Sequence, residues 1–108
     1  MKIFKFGGAS VKDADGVKNL LNVVNKKADK NTIIVVSAMG KTTNLLEKIV
    51  NSFINKEEQL FQENIEVCRQ FHFSILEELF DDRTNDIYSS ISKIFVLLSS
   101  QETEHLGI

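Results

Sequence analysis

Residues 5–11 read Lys-Phe-Gly-Gly-Ala-Ser-Val and follow directly on a strand-like start, Met-Lys-Ile-Phe, at residues 1–4. Glycines allow a backbone to bend with its N–H groups exposed, and a following helix adds positive partial charge at its N-terminus. The lysine places a full cation beside them. The stretch therefore predicts a strand-to-helix loop suited to a polyanion, although an ordinary turn is the alternative that a Gly-Gly pair alone leaves open. The candidate binding residues are Lys5, Gly7, Gly8 and Ser10.

A second stretch repeats this pattern. Residues 31–46 read Asn-Thr-Ile-Ile-Val-Val-Ser-Ala-Met-Gly-Lys-Thr-Thr-Asn-Leu-Leu, which is a β-branched strand, a small-residue loop, a hydroxyl cluster and the start of a helix. The two stretches lie one βα step apart, so their strands can pair in parallel with both loops at the carboxyl ends. Ligands of open α/β sheets bind at that edge.

The Gly-Lys-Thr sequence at residues 40–42 also invites comparison with the phosphate-binding P-loop. That motif needs a glycine five residues before Gly40, and Val35 stands there, inside the predicted strand. The P-loop interpretation is therefore rejected, and Lys41 is interpreted as a solvated loop lysine. The chain also lacks a Gly-x-Gly-x-x-Gly sequence, so nothing favours a dinucleotide-binding fold.

The first part of the chain, residues 1–41, has the pattern of a βαβ unit. Strands are predicted at residues 2–6 and 32–37, and the second is expected to be buried on both faces because its apolar run is continuous. An amphipathic helix is predicted between them, with Asp13 or Asp15 at its start and a right-handed crossover. Its apolar positions are Val17, Leu20, Leu21, Val24 and Ala28.

Residues 42–101 are predicted to be helical. One helix runs to about Asn55, a long second helix ends near Phe80, and Thr84 or Asn85 caps a third. Two strands do not make a stable sheet by themselves, so the helices must cover them or other protein must do so. We therefore expect the isolated chain to be marginally stable or to oligomerise.

Composition restricts the classes of function. The net charge of −2 argues against general attraction to nucleic acids or membranes, and no apolar run approaches the length of a signal peptide or membrane span. A single cysteine, Cys68, permits no internal disulfide and fits a cytoplasmic location, where it would be a small core residue. Neither His72 nor His105 has ligand partners at suitable spacing, so no metal site is expected.

Taken together, residues 5–11 and 35–46 closely resemble the two opening motifs of the aspartokinases, a family within the amino acid kinase superfamily. Lys-x-Gly-Gly alone indicates only the superfamily. The Phe after the lysine, the following Ser-Val, and Ser-Ala-Met with Thr-Asn-Leu beginning six residues after its serine are more specific. The resemblance covers residues 1–54 and weakens beyond them. It departs from the family at Ala9, where Thr or Ser is frequent.

The resemblance implies a three-layer αβα catalytic domain more than twice this length, followed by regulatory domains. Residues 1–108 would be its N-terminal fragment, ending before the family's Gly-Glu segment, its substrate-binding arginine and its adenine-binding half. The complete enzyme would transfer the γ-phosphoryl group of MgATP to L-aspartate, giving 4-phospho-L-aspartate on the route to lysine, threonine and methionine. It is expected to be a homo-oligomer that carries Mg²⁺ through the nucleotide, and the fragment alone is expected to be inactive.

The resemblance also assigns roles to residues. Lys5 would contact the β- and γ-phosphates and stabilise the transition state, while the amides of Gly7 and Gly8, with Ser10, would hold the phosphates. Ser37 and Thr43 would line the amino acid substrate; the structural alternatives are a strand-end cap and a helix-start residue.

Two other functions remain open at this stage: a different amino acid kinase, or a free-standing helical interaction module. Allosteric effectors and a fused dehydrogenase are beyond what the sequence indicates.

Overall fold

The computed structural model describes residues 1–101, which form a mixed α/β chain with one parallel strand pair and four helices. The chain divides into two compact units, one formed by residues 1–43 and one that begins at Asn44; we call them the βαβ unit and the helical unit. Among the described residues, no helix is long and apolar enough to cross a membrane. The elements are β1 (Lys2–Phe6), α1 (Ala14–Lys27), β2 (Thr32–Val36), α2 (Thr42–Ile54), α3 (Glu58–Leu79) and α4 (Asp86–Ser99).

The parallel pairing of β1 with β2 organises the βαβ unit. Lys2 lies opposite Thr32, and Phe6 lies opposite Val36. At the strand ends, the Ser37 amide donates a hydrogen bond of 2.9 Å to the Phe6 carbonyl oxygen. The two chain segments that leave the strands therefore start side by side at one edge of the sheet.

The side chains of β2 are exposed, which corrects the expectation that this strand is buried on both faces. Ile33, Ile34, Val35 and Val36 are between 40% and 50% exposed. The physical reason is that the sheet of the described residues has two strands, so β2 is paired on one edge only. The continuous apolar run was the correct signal for a strand, but its burial requires layers of protein that the βαβ unit does not supply.

Two buried residues lie at the start of helix α1, one in the loop before it and one at its first position. Val11 and Ala14 are almost completely inaccessible to solvent. Asp13, rather than Asp15, is the N-cap, because its carboxylate accepts a hydrogen bond of 2.9 Å from the Gly16 amide. The loop and the first turn of α1 are therefore held together by packing and by the cap.

A polar network fixes the other end of the strand pair. The Lys2 amide donates a hydrogen bond of 2.9 Å to the Asn31 carbonyl oxygen, and the Lys2 ammonium lies 3.4 Å from a carboxylate oxygen of Asp29. The pKa of Asp29 lies below its usual range, chiefly because its carboxylate accepts a hydrogen bond from the Asn31 amide. This network ties the start of β1 to the turn that leads into β2.

The helical unit has its own apolar core. Asn85 caps α4 by accepting a hydrogen bond of 3.0 Å from the Ile87 amide, as one of the two sequence alternatives predicted. Cys68 is buried, and this burial raises the pKa of its thiol, which agrees with its interpretation as a core residue. The buried core residues are Leu45, Ile49, Phe61, Ile65, Cys68 and Phe95.

A pair of glycines in the βαβ unit gives a first prediction. Gly40 has a φ of +45°, whereas Gly7 has ordinary φ and open space where a Cβ would lie. We expect Gly40→Ala to lower the free energy of unfolding by about 1 kcal/mol, since a Cβ is strained in the left-handed region. Gly7→Ala should cause no loss, because a Cβ there meets no protein atom. Urea denaturation of the chain measures both; equal losses would contradict the described loop geometry.

The core of the helical unit gives a second prediction. Ile65→Val removes one methylene from a buried position and should cost about 1 kcal/mol of unfolding free energy. The control is Val67→Ala on the same helix, where the side chain is 53% exposed and less than about 0.5 kcal/mol should be lost. Helical circular dichroism in urea measures the difference. A larger loss at Val67 would mean that the buried face of α3 has been assigned wrongly.

Candidate functional site

Two loops lie in contact at the carboxyl ends of the strands. The first loop comprises residues 7–13 after β1, and the second loop comprises residues 37–41 after β2. A Cβ built on Gly8 would lie 3.6 Å from the Ala38 carbonyl oxygen and 3.9 Å from that of Gly40. The backbones of the two loops are therefore neighbours at Gly8. The structure brings together the two stretches that the sequence analysis had singled out.

The first loop presents backbone donors. The Ser10 amide donates a hydrogen bond of 3.0 Å to the Gly7 carbonyl oxygen, and the Val11 amide donates one of 3.3 Å to that of Gly8. These two bonds close a turn. The amides of Gly7, Gly8 and Ala9 donate no hydrogen bond within residues 1–101. Successive free amides in a turn form a concave site for an anion. Because Gly7 faces open space, a bound group can approach this backbone without meeting a side chain.

Helix α1 contributes less positive potential to the first loop than the sequence suggested. The helix begins only at Ala14, and the Asp13 carboxylate accepts a hydrogen bond from its first turn. A carboxylate at this position offsets the partial positive charge of the helix N-terminus. The turn amides that precede the helix, rather than the helix itself, are therefore the donors available to an anion.

Lys5 supplies a cation at the same edge of the sheet. It lies on β1 opposite Val35, and its side chain is exposed. The ion pairs of the part of the chain that the structure describes are Lys2–Asp29, Arg69–Glu66 and Arg83–Glu77, and none involves Lys5. Its ammonium group is therefore not neutralised by a described carboxylate.

The second loop and the start of α2 carry three hydroxyl groups, one of them buried and two exposed. Thr42 is buried, and both its amide and its hydroxyl bond to the Met39 carbonyl oxygen, at 2.9 and 2.6 Å. Ser37 and Thr43 are exposed, and their hydroxyls form no hydrogen bond with any described residue. The Thr42 hydroxyl is thus a donor to the turn that precedes α2, and Thr43 is the second residue of that helix. The role of Thr42 was missed, since adjacent threonines cannot be told apart by sequence pattern alone.

The hydroxyl of Ser10 also lies on the surface of the first loop, since its side chain is exposed. Among residues 1–101 there is no group of three His, Cys, Asp or Glu side chains that could hold a metal ion. His105 lies outside the described residues. The two loops and the elements beside them therefore offer amide donors, the Lys5 ammonium and hydroxyls, a set suited to phosphate and to small polar molecules.

Comparison with known proteins identifies the family to which the chain is similar. Residues 1–101 match the sequence model of the "Amino acid kinase family". Aspartokinase 2, chloroplastic, of Arabidopsis thaliana is 36% identical over 81 residues, which cover 71% of this chain and 14% of that protein. The aspartokinase of Rickettsia bellii is 40% identical over 67 residues, covering 58% of this chain and 16% of that protein.

A third relative extends further along the chain. The bifunctional aspartokinase/homoserine dehydrogenase of Buchnera aphidicola is 26% identical over 95 residues, which cover 87% of this chain and 11% of that protein. The matched segments thus span less than one fifth of each of these relatives. Because the family match extends over all the described residues, the chain belongs to the amino acid kinase family.

Proposed function

We propose that this chain supplies the phosphate-binding and substrate-binding loops of an ATP-dependent aspartate kinase. The observation that supports the proposal is the contact between the two loops at Gly8, beside turn amides that donate no hydrogen bond within residues 1–101. Lys5 lies on the strand before the first loop, and Ser37 and Thr43 are exposed. The complete catalytic domain transfers the γ-phosphoryl group of MgATP to the side-chain carboxylate of L-aspartate. The products are ADP and 4-phospho-L-aspartate. The named aspartokinase relatives favour this substrate over those of other amino acid kinases.

The first loop holds the phosphate groups in this proposal. The amides of Gly7 and Gly8, with the Ser10 hydroxyl, donate to phosphate oxygens, and the Lys5 ammonium lies against the β- and γ-phosphates. Charge moves toward the bridging oxygen as the γ-phosphoryl group leaves, so a fixed cation there stabilises the transition state more than the ground state. Mg²⁺ binds through the phosphate oxygens of the nucleotide and neutralises part of the same charge.

The second loop holds the amino acid. The hydroxyls of Ser37 and Thr43 can donate to a carboxylate or accept from an ammonium group, and aspartate carries both. The side-chain carboxylate is already ionised near neutral pH, so its oxygen forms the new bond to phosphorus without losing a proton. The bond to the β–γ bridging oxygen breaks, and ADP leaves with its electron pair. A site built of amides, a lysine and hydroxyls meets these requirements without a general base.

The chain alone is proposed to be inactive, because nothing in the two loops is suited to bind adenine or ribose. A cytoplasmic location and a homo-oligomeric state stay predictions from the sequence. The rival proposal is a free-standing helical interaction module that retains the loops without using them. It differs in one measurable respect: its loops should not support catalysis when the rest of a kinase domain is present.

A chimera tests the proposal. This chain would replace the matched N-terminal segment of the Rickettsia bellii aspartokinase, and aspartate-dependent ADP release would be measured. We expect activity from the chimera and none from the chain alone. A folded chimera that binds MgATP but does not phosphorylate aspartate would contradict the proposed substrate. A folded chimera with no kinase activity on any amino acid would support the interaction module.

Lys5 gives the third prediction. In the chimera, Lys5→Ala should lower kcat by about 100-fold or more, the scale of losing one preorganised charge contact in the transition state. Lys12→Ala is the control, since Lys12 is an exposed lysine in the first loop to which no role is assigned. Steady-state kinetics with MgATP and aspartate measure both variants. A normal kcat with only a raised KM for MgATP would show that Lys5 assists binding alone.

Thr43 gives the fourth prediction. Thr43→Val keeps the shape of the side chain and removes the hydroxyl, so KM for aspartate should rise about 10-fold while KM for MgATP changes little. Thr43→Ser, which retains a hydroxyl, should stay near the parent value. An equal rise of both KM values in Thr43→Val would indicate that Thr43 has a structural role at the start of α2.

A further inference from the structure

Gly16, the third residue of α1, stands where a glycine is unfavourable. Glycine loses more backbone freedom on folding than any other residue, and alanine makes a more stable helix. Gly16 does not have a positive φ, so the backbone conformation does not require a glycine. Its amide donates a hydrogen bond to the Asp13 carboxylate, but every residue except proline offers that amide. The reason for a glycine therefore lies in the space around it.

A side chain at Gly16 would meet the backbone of the first loop. A Cβ built there would overlap the Ser10 carbonyl oxygen, and it would lie 3.2 Å from both the Ser10 carbonyl carbon and the Val11 Cα. These are backbone atoms, so they cannot rotate away as the end of a long side chain could. Val11 is also buried, which leaves it little room to move. The first loop thus lies directly against α1 because position 16 has no side chain.

The two loop residues that contact the helix are also the donors that close the turn. The Ser10 amide donates to the Gly7 carbonyl oxygen. The Val11 amide donates to the Gly8 carbonyl oxygen. A peptide unit is planar and trans, so the carbonyl of one residue and the amide of the next point in opposite directions from one rigid plane. Holding the carbonyls of Gly7 and Gly8 therefore fixes the direction of the free amides of Gly8 and Ala9.

We propose that Gly16 is a positioning residue of the phosphate site: by allowing the first loop to lie against α1, it sets the direction of the Gly8 and Ala9 amides. The inference rests on the proposed function, because it takes the first loop as the phosphate-binding loop. It adds the Ala9 amide to the donors and gives a residue outside the loop a part in nucleotide binding. Donors that are already held in place bind an anion without reorganisation.

The alternative is that Gly16 contributes only to the stability of the βαβ unit. A folded Gly16 variant would then bind both substrates normally. The positioning role predicts a selective defect instead, because the nucleotide phosphates meet the first loop, whereas aspartate meets Ser37 and Thr43 in the proposed site.

Kinetics of the chimera distinguish these two roles. Gly16→Ala should lower kcat/KM for MgATP by about 100-fold, the scale of a misplacement of about 1 Å in a site. KM for aspartate should stay within about twofold. The control is Asn19→Ala, an exposed position on the same helix, which should change neither constant by more than about twofold. An unchanged kcat/KM for MgATP in folded Gly16→Ala, or an equal rise of both KM values, would overturn the proposal.

Amide hydrogen exchange of the chain itself, followed by NMR, tests the geometry without catalysis. In Gly16→Ala, exchange at Ser10 and Val11 should become about tenfold faster, the scale of losing one hydrogen bond. Exchange at the Ser37 amide, which bonds to Phe6 between the strands, should not change. Equal acceleration at all three amides would show a general loss of stability and would overturn the proposal.

The unsubstituted chain provides a second measurement if Gly16→Ala fails to fold. An NOE is expected between an α-proton of Gly16 and the α-proton of Val11, and its absence would overturn the proposal.

The outcomes also separate this inference from the proposed function. An inactive chimera with Gly16 in place would contradict the function, while faster exchange at Ser10 and Val11 in Gly16→Ala would still support positioning of the turn. An active chimera in which Gly16→Ala keeps a normal kcat/KM for MgATP would support the function and overturn the inference.

Discussion

The parallel pairing of β1 with β2 is the constraint on which the candidate site depends. It is fixed at one end by the Lys2–Asn31 hydrogen bond and the Lys2–Asp29 ion pair, and at the other by the Ser37–Phe6 hydrogen bond. If β2 shifted by one residue against β1, the second loop would move by one strand rise, about 3.3 Å, along the first. The approach of Gly8 to Ala38 and Gly40 would then be lost.

The two loops at the end of this strand pair differ in what they require of their glycines. Gly40 is needed for its backbone conformation, since its φ is positive, and it lets the second loop turn back toward α2. Gly7 has no such requirement, and a Cβ there would meet open space. In the proposed site, the absence of a side chain at Gly7 would allow a ligand to come close to the free amides of the turn. Phosphate is a ligand of that kind.

Much of the fold could be predicted because local signals agreed with one another. The strand at residues 2–6 and the apolar stripe of α3 follow from side-chain periodicity, which acts over a few residues. Capping chemistry narrowed the starts of α1 and α4 to two residues each, and the structure selects Asp13 and Asn85. The burial of β2 was predicted wrongly, because burial depends on neighbours that are distant in sequence. Thr42 was missed for a related reason: which of two adjacent hydroxyls bonds to Met39 depends on the orientation of the helix start, not on residue type.

The exposure of the β2 side chains and the exposure of the two loops can be explained together. A strand with apolar side chains on both faces reaches its full stability only when further layers cover it, and a phosphate site gains affinity when water is excluded from its donors. The same added layers would do both, because they would lie beside the strand whose carboxyl end carries Ser37. In water the Lys5 charge is screened and its contact with phosphate is weak, whereas in a covered site the same charge acts at lower effective dielectric. In the proposed kinase, covering of the sheet and exclusion of water from the two loops would therefore occur together.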